Sequence, residues 1–266
     1  MILQNKNAVV YAAGGSLGGA VSKALAAEGA RLFLTGRARS SVQKVADEII
    51  REGGIAEVDE VDALDEEAVR LHLDGILRKA GKIDISFNAI AVKVVQNIPL
   101  LNIQTSDFIG PVMGVLQSQF ITAKVVGKAM MEQGSGVILT LTATPGGIGY
   151  PYTGGFAPAC AALETFSRNL AAELGVYGVR VVNIRSGGSP DSRVFKEARE
   201  KYPDEMLAVL GKMESDTMLK KLPLMKDIAN LAVFLSSDLA SAITGVTVDI
   251  TSGTTAGLNY KVERKV

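Results

Sequence analysis

The chain contains one cysteine, Cys160, one histidine, His72, and no tryptophan. A single thiol can form no intrachain disulfide, which fits a reducing compartment better than a disulfide-stapled secreted fold. One histidine and one cysteine far apart in sequence give little support for a zinc site or a Cys–His dyad. Net charge is missing as well, because 28 Lys and Arg balance 28 Asp and Glu. That balance favours no polyanionic partner such as nucleic acid. The basic run at residues 261–265 reads as a solvated chain end. No apolar stretch has the length of a membrane span, and the chain runs almost at once into the strand-like Ala8-Val9-Val10-Tyr11 rather than through a leader. A soluble, cytoplasmic protein without a membrane partner is expected.

What is present is apolar material in an alternating order. Hydrophobic residues make up 47% of 266 positions, enough for one large core. Strand-like runs at 7–13, 31–35, 56–61, 83–89, 137–141, 179–184 and 246–250 are separated by helical patterns at 17–28, 41–52, 66–79, 106–132, 159–176 and 227–236. Gly29 and Gly81 stand where helices should stop. Apolar strands alternating with helices predict a doubly wound, mostly parallel, Rossmann-like α/β sheet of about seven strands with helices on both faces. No repeat or linker divides it, so a single domain over 1–266 is expected. Residues 187–224 carry no strand signal and form the candidate lid, because ligands in such sheets sit beyond the carboxyl ends of the strands. That segment and its edge hold Met206, Met213, Met218 and Met225. They suit either a flexible apolar lid or plain packing of two short helices.

The first strand leads into Tyr11-Ala12-Ala13-Gly14-Gly15-Ser16-Leu17-Gly18-Gly19. A glycine-rich turn opening a helix directs backbone N–H groups and the positive helix end at a pyrophosphate. The same turn also serves as a tight connection with no ligand. At the end of the second strand stands Arg37. An acidic residue there would bind a ribose 2′-hydroxyl, whereas arginine pairs with a 2′-phosphate, so NADP is favoured over NAD.

Taken together, these segments resemble the short-chain dehydrogenase/reductase family over essentially the whole chain. Ala161-Ala162-Leu163-Glu164, Ala171-Ala172-Glu173-Leu174-Gly175 and Tyr177-Gly178-Val179-Arg180-Val181-Val182-Asn183 are very like the helix and strand that follow the family's catalytic motif. Asp227-Ile228-Ala229, Phe234-Leu235-Ser236-Ser237 and Thr244-Gly245 match its C-terminal part. The family's turn is Thr-Gly-x-x-x-Gly-x-Gly, and here the four fixed places hold Tyr11, Ala12, Ser16 and Gly18. Serine near that place is also a feature of the enoyl-reductase branch. The resemblance implies a cofactor held by Gly14, Gly15, Ser16, Leu17, Gly18, Arg37, Asp62, Ala63, Asn88 and Ala89, with binding weakened by the altered turn. Asn88 admits a second reading, as a structural tie between the central strands. The resemblance also implies a homotetramer or dimer through the two long central helices, where Ala157, Ala159, Ala161 and Ala162 permit close approach.

The departures gather at the family's catalytic positions. Its Tyr-x-x-x-Lys falls on Phe156 and Cys160, its serine on Ala143 and its helical asparagine on Val115. A phenyl ring has no proton to give and a neutral thiol no positive charge. A positioned general acid is typically worth about 10²- to 10⁴-fold in rate. Nearby substitutes are Thr142, Tyr150 and Tyr152, although no cation at a fixed spacing from either tyrosine would lower its pKa. Cys160 reads as a small buried apolar residue and His72 as solvated on a polar helix. Three functions stay open: an NADP-dependent oxidoreductase with a non-standard or impaired proton donor, an inactive relative acting as a binding or assembly subunit, and, least favoured, a non-redox enzyme on the same scaffold. The small-molecule substrate is unknown.

Overall fold

The computed structural model describes residues 1–257, so the basic run at 261–265 lies outside the described residues. Seven strands form the sheet: β1 (Asn7–Tyr11), β2 (Arg31–Gly36), β3 (Ile55–Glu60), β4 (Ile85–Asn88), β5 (Gly136–Ala143), β6 (Val179–Ser186) and β7 (Thr247–Ile250). Their order is β3-β2-β1-β4-β5-β6-β7, and every pairing is parallel. The chain steps outward from β1 to β3, then returns to β4 on the other side of β1. That reversal opens a crevice between the carboxyl ends of β1 and β4, where open α/β sheets place ligands.

Helices α1 (Ser16–Ala27), α2 (Arg39–Arg51), α3 (Glu66–Ala80), α4 (Thr105–Gln133) and α5 (Phe156–Leu174) cross between strands. The segment 187–224 supplies α6 (Arg193–Lys201) and α7 (Pro203–Asp216), and α8 (Met225–Ser236) leads towards β7. Two apolar cores follow, one on each face of the sheet. Val10, Leu25, Leu34, Ile49, Phe87, Leu139, Ile228 and Leu235 belong to the face covered by α1, α2 and α8. Val9, Phe33, Leu73, Ile76, Val126, Met130, Ile138 and Val181 belong to the face covered by α3, α4 and α5. Alternate residues of β1 divide between the two cores, as a strand with period-two side chains must when both faces are covered.

Local chemistry sets the element ends. Asp65 caps α3 by accepting from the backbone N–H of Glu67 and Ala68, and Gly81 closes that helix at φ 75°. Acidic Glu66 and Glu67 in the first turn and basic Arg78 and Lys79 in the last complement the helix dipole. At the far side of the sheet, Arg180 Nη2 donates to the carbonyls of Leu235 (2.7 Å) and Ser237 (3.3 Å), capping the end of α8. The edge strand β3 reads Ile-Ala-Glu-Val-Asp-Glu, and its acidic side chains discourage another strand from adding there.

His72 is not solvated. Its side chain is only 6% exposed, with Nε2 3.4 Å from Asp59 Oδ2 but not aligned for a hydrogen bond. It shares the inner face of α3 with Ile76, one turn away, and burial lowers its pKa, opposed by the Asp59 charge.

Candidate active site

The two ends of the site sit side by side along the carboxyl edge of the sheet. On the nucleotide side, Ala12 follows β1 with φ 60°, a left-handed conformation that costs an L-residue about 1–2 kcal/mol. By the resemblance this is the place of the family's first turn glycine, a residue that adopts such a backbone without that cost. Gly18 meets the stricter demand. A Cβ there would lie 2.4 Å from the Ala12 carbonyl oxygen, so only glycine lets α1 start this close to the turn. Gly14 packs similarly, its missing Cβ leaving room for Ser41 at the start of α2. Gly15 is the N-cap of α1, and Ser16 and Leu17 open the helix.

Arg37 lies one residue past β2, exposed, and makes no hydrogen bond or ion pair among the described residues. Asp62 is exposed at the end of β3, where its carboxylate accepts from the Leu64 N–H, and Ala63 beside it is buried. Tyr11 points away from this edge into the core. Its hydroxyl is buried without a hydrogen-bond partner, and burial pushes the phenol pKa well up.

Asn88 has a structural role with a different partner from the one expected. It ties β4 to α4 rather than strand to strand. Its Nδ2 donates to Thr122 Oγ1 (2.9 Å) and to the Ser118 carbonyl (3.3 Å), and its Oδ1 accepts from Ile90 N–H (2.9 Å). Both Nδ2 protons are therefore engaged within the chain, while Ala89 next to it is half-buried.

On the reaction side, β5 ends at Ala143 and α5 begins at Phe156, with Cys160 one turn into that helix. Phe156 and Ala143 are half-buried, as is Val115 on α4, whose carbonyl accepts from Ser118 Oγ. None of the four side chains offers a neutral-pH proton donor or cation. Cys160 is 4% exposed, and its pKa is pushed up to about 11, chiefly by burial, with a backbone hydrogen bond at Ala143 acting the other way. It is a small core residue rather than a thiolate nucleophile. Ala159 is likewise buried within the chain, so of the four small residues only Ala157, Ala161 and Ala162 remain for an outer face.

The proposed substitutes separate. Thr142 is buried and committed: Oγ1 donates to Glu164 Oε1 (2.9 Å) and accepts from Asn183 Nδ2 (2.8 Å). Tyr150 and Tyr152 are 38% and 53% exposed on the loop 144–155, and neither hydroxyl makes a hydrogen bond among the described residues. That loop is held through its backbone, where Asn97 N–H donates to the Tyr152 carbonyl (2.8 Å).

Sequence reasoning missed the strongest polar feature of this end. Arg185 on β6 forks onto Glu164 on α5 through Nε–Oε1 (2.9 Å) and Nη2–Oε2 (2.5 Å), and its Nη1 reaches Asp249 of β7 at 3.3 Å. Both partners of the fork are nearly buried, with side chains 16% and 10% exposed. The Glu164 hydrogen bond holds the guanidinium more firmly protonated than usual. The partners come from different elements, so no spacing in the sequence announces them.

The segment 187–224 folds back onto the nucleotide side. The backbone N–H of Arg193, at the start of α6, donates to Ser16 Oγ (3.0 Å). Gly188 accepts Met213 and Phe195 against its bare backbone, and Met218 packs on Gly253. These two methionines fill gaps beside glycines, which is the packing role. Among the described residues there is no group of three or more His, Cys, Asp or Glu side chains able to hold a metal, and no helix long and apolar enough to cross a membrane.

Comparison with known proteins agrees with this arrangement. The family described as enoyl-(acyl carrier protein) reductase matches residues 12–255. Levodione reductase of Leifsonia aquatica is 30% identical over 252 residues, covering 93% of this chain and 94% of that protein. The 3-oxoacyl-[acyl-carrier-protein] reductase FabG of Escherichia coli (strain K12) is 27% identical over 253 residues, covering 95% and 98%. Among solved structures, levodione reductase superposes with a TM-score of 0.88 at 25% identity over 96% of this chain and all of that one. A parallel seven-stranded sheet, a glycine turn at its switch point and a match along nearly the whole length have one reading: this chain belongs to the short-chain dehydrogenase/reductase family of oxidoreductases.

Proposed function

We propose that the protein binds NADP(H) in the crevice between β1 and β4 and works as an oxidoreductase on a small molecule without the family's tyrosine as proton donor. One observation carries the choice of nucleotide. Arg37 is exposed at the end of β2 with no partner among the described residues, and a free guanidinium there matches a 2′-phosphate through two parallel hydrogen bonds. The turn supports this reading as well, because α1 opens at Ser16 directly after it, and the first N–H groups of a helix have no partner within the helix.

When bound, the nucleotide supplies a hydride. The chain's own residues then divide the remaining work. Arg37 grips the 2′-phosphate. Ser16 and Leu17 offer backbone N–H groups to the pyrophosphate, and Asp62 and Ala63 face the adenine. Ala89 lines the crevice mouth. Val115, Ala143 and Phe156 exclude water from the reaction end and deliver no proton. Residues 187–224 serve as the lid over this edge, and nucleotide binding competes with the Arg193–Ser16 contact that now closes it. Exposed Ile109, Met113 and Phe120 on α4 support a dimer or tetramer through that helix, and the unpaired, buried Cys160 suits the cytoplasm.

Calorimetric titration with NADPH and NADH tests the reading. NADPH should bind at least tenfold more tightly, a preference that disappears if Arg37 is solvated and idle. A second reading, a non-catalytic assembly subunit, is favoured by the joint replacement of the four catalytic positions. It predicts nucleotide binding or co-purification of an active relative with no turnover of any acceptor, and reduction of a carbonyl or activated alkene by the purified chain alone would exclude it.

A further inference from the structure

The loop 144–155 joins β5 to α5 and carries Tyr150 and Tyr152, yet it contains Gly146, Gly147, Gly149, Gly154 and Gly155. So much glycine loses more conformational freedom on ordering than an average segment does. Something must hold its root. A Cβ on Gly146 would lie 2.6 Å from Glu164 Oε1 and 2.9 Å from Cys160 Cβ, and a Cβ on Gly147 would lie 2.5 Å from Arg185 Nη1 and 2.6 Å from its Cζ. The bare backbone of the loop therefore rests directly on the Glu164–Arg185 fork. Thr142 Oγ1 adds a third bond to Glu164 from β5, and Asp249 steadies Arg185 from β7.

Thermodynamics alone gives little reason for such a pair, since buried ion pairs are often no more stabilising than apolar residues of similar volume. What a forked pair supplies is geometry, because the guanidinium is planar and its donors are fixed. Both carboxylate oxygens of Glu164 are engaged within the protein, by Arg185 and Thr142.

We propose that Glu164 and Arg185 are positioning residues, a clamp that fixes the loop bearing Tyr150 and Tyr152 beside the reaction end. The catalytic meaning of that clamp rests on the oxidoreductase reading above; the ordering of the loop does not.

The chain has no tryptophan, so Tyr152→Trp gives a single fluorescent reporter on the loop. In that background the paired replacement Glu164→Leu with Arg185→Met removes the clamp without stranding a buried charge. It should keep cooperative melting and bind NADPH within about threefold of the parent. Meanwhile the reporter emission should shift to the red, its anisotropy should fall, and amide exchange in 146–153 should rise at least tenfold. Gly147→Ala, which pushes a methyl group into the guanidinium, should loosen the same reporter to a smaller degree if the paired variant does not fold. Arg185→Lys, a point charge without the fork, should restore only part of the order. An unchanged reporter and unchanged exchange in whichever of the two loosening variants folds would overturn the clamp. Failure of the parent protein to bind NADPH would instead overturn the oxidoreductase reading and leave the clamp standing.

Discussion

The candidate nucleotide end, at β1 and β2, and the candidate reaction end, at β5 and α5, lie along the same sheet edge on either side of β4, yet they are built differently. At the candidate nucleotide end the notable features lie in the backbone. Ala12 adopts φ 60°, Gly18 approaches the turn too closely to carry a Cβ, and Arg37 is exposed past the strand end. At the candidate reaction end the notable features are the side chains: Val115, Ala143, Phe156 and the buried Cys160 offer neither a neutral-pH proton donor nor a cation. On the reading proposed above, the contrast teaches that a phosphate cradle built from backbone N–H groups would tolerate substitution, because it depends on chain path, whereas proton delivery would depend on particular side-chain atoms.

The largest expected effect comes from rebuilding the second end. Ala143→Ser, Phe156→Tyr and Cys160→Lys together should raise NADPH-dependent carbonyl reduction by about 10²- to 10⁴-fold, the typical worth of a positioned general acid. Spectrophotometric assay of NADPH consumption reads it, and an unaltered rate would mean that the proton already has another source. Breaking the clamp from one side only should cost nearly as much in stability. Glu164→Leu leaves the Arg185 charge buried and should destabilise the fold by about 3–5 kcal/mol, as seen in denaturant melts. Attacking the first end, Arg37→Glu should weaken NADPH binding by about 10- to 100-fold and leave NADH nearly untouched, which calorimetry can follow.

Two smaller effects sharpen the comparison, one on the scaffold outside both ends and one at the nucleotide turn. Burial depresses the His72 pKa in the folded state below its ordinary 6.5. The unfolded chain therefore takes up a proton more readily, and the stability contributed by the neutral imidazole is present above about pH 6.5 and lost as pH falls through the lower folded value. Melting temperature should decline in mild acid for the parent and decline less for His72→Leu. At the turn, Ala12→Gly should stabilise by about 1 kcal/mol, because glycine carries no penalty in the left-handed region. A destabilised Ala12→Gly variant would show that the methyl group packs usefully.

Those outcomes also mark what the sequence can convey. The α3 boundaries are legible because Asp65, the flanking charges and Gly81 are local signals. The placing of Phe156 and Cys160 at the reaction end rests on the family resemblance through Ala161-Ala162-Leu163, and the structure adds that they open α5 just past β5 and its loop. Asn88 is half legible: its motif marks the position, but only the packing of α4 against β4 reveals that Ser118 and Thr122 occupy its amide. The polarity of its neighbours disguises His72, although its one-turn spacing from Ile76 and adjacency to Leu73 put it towards the apolar stripe. The Glu164–Arg185 fork is invisible, since it joins a helix to a strand through tertiary packing and no local pattern encodes it.

The central claim is that this chain keeps a nucleotide cradle beside a reaction end with no family proton donor. It is tested most directly in one cuvette, by mixing the parent protein with NADPH and an excess of a simple ketone and following nucleotide fluorescence and absorbance together. The account predicts enhanced nucleotide fluorescence that saturates with protein, while the absorbance decays at no more than about a hundredth of the rate shown by the triple variant A143S/F156Y/C160K. Rapid loss of absorbance by the parent protein, or no change in fluorescence at any protein concentration, would contradict it.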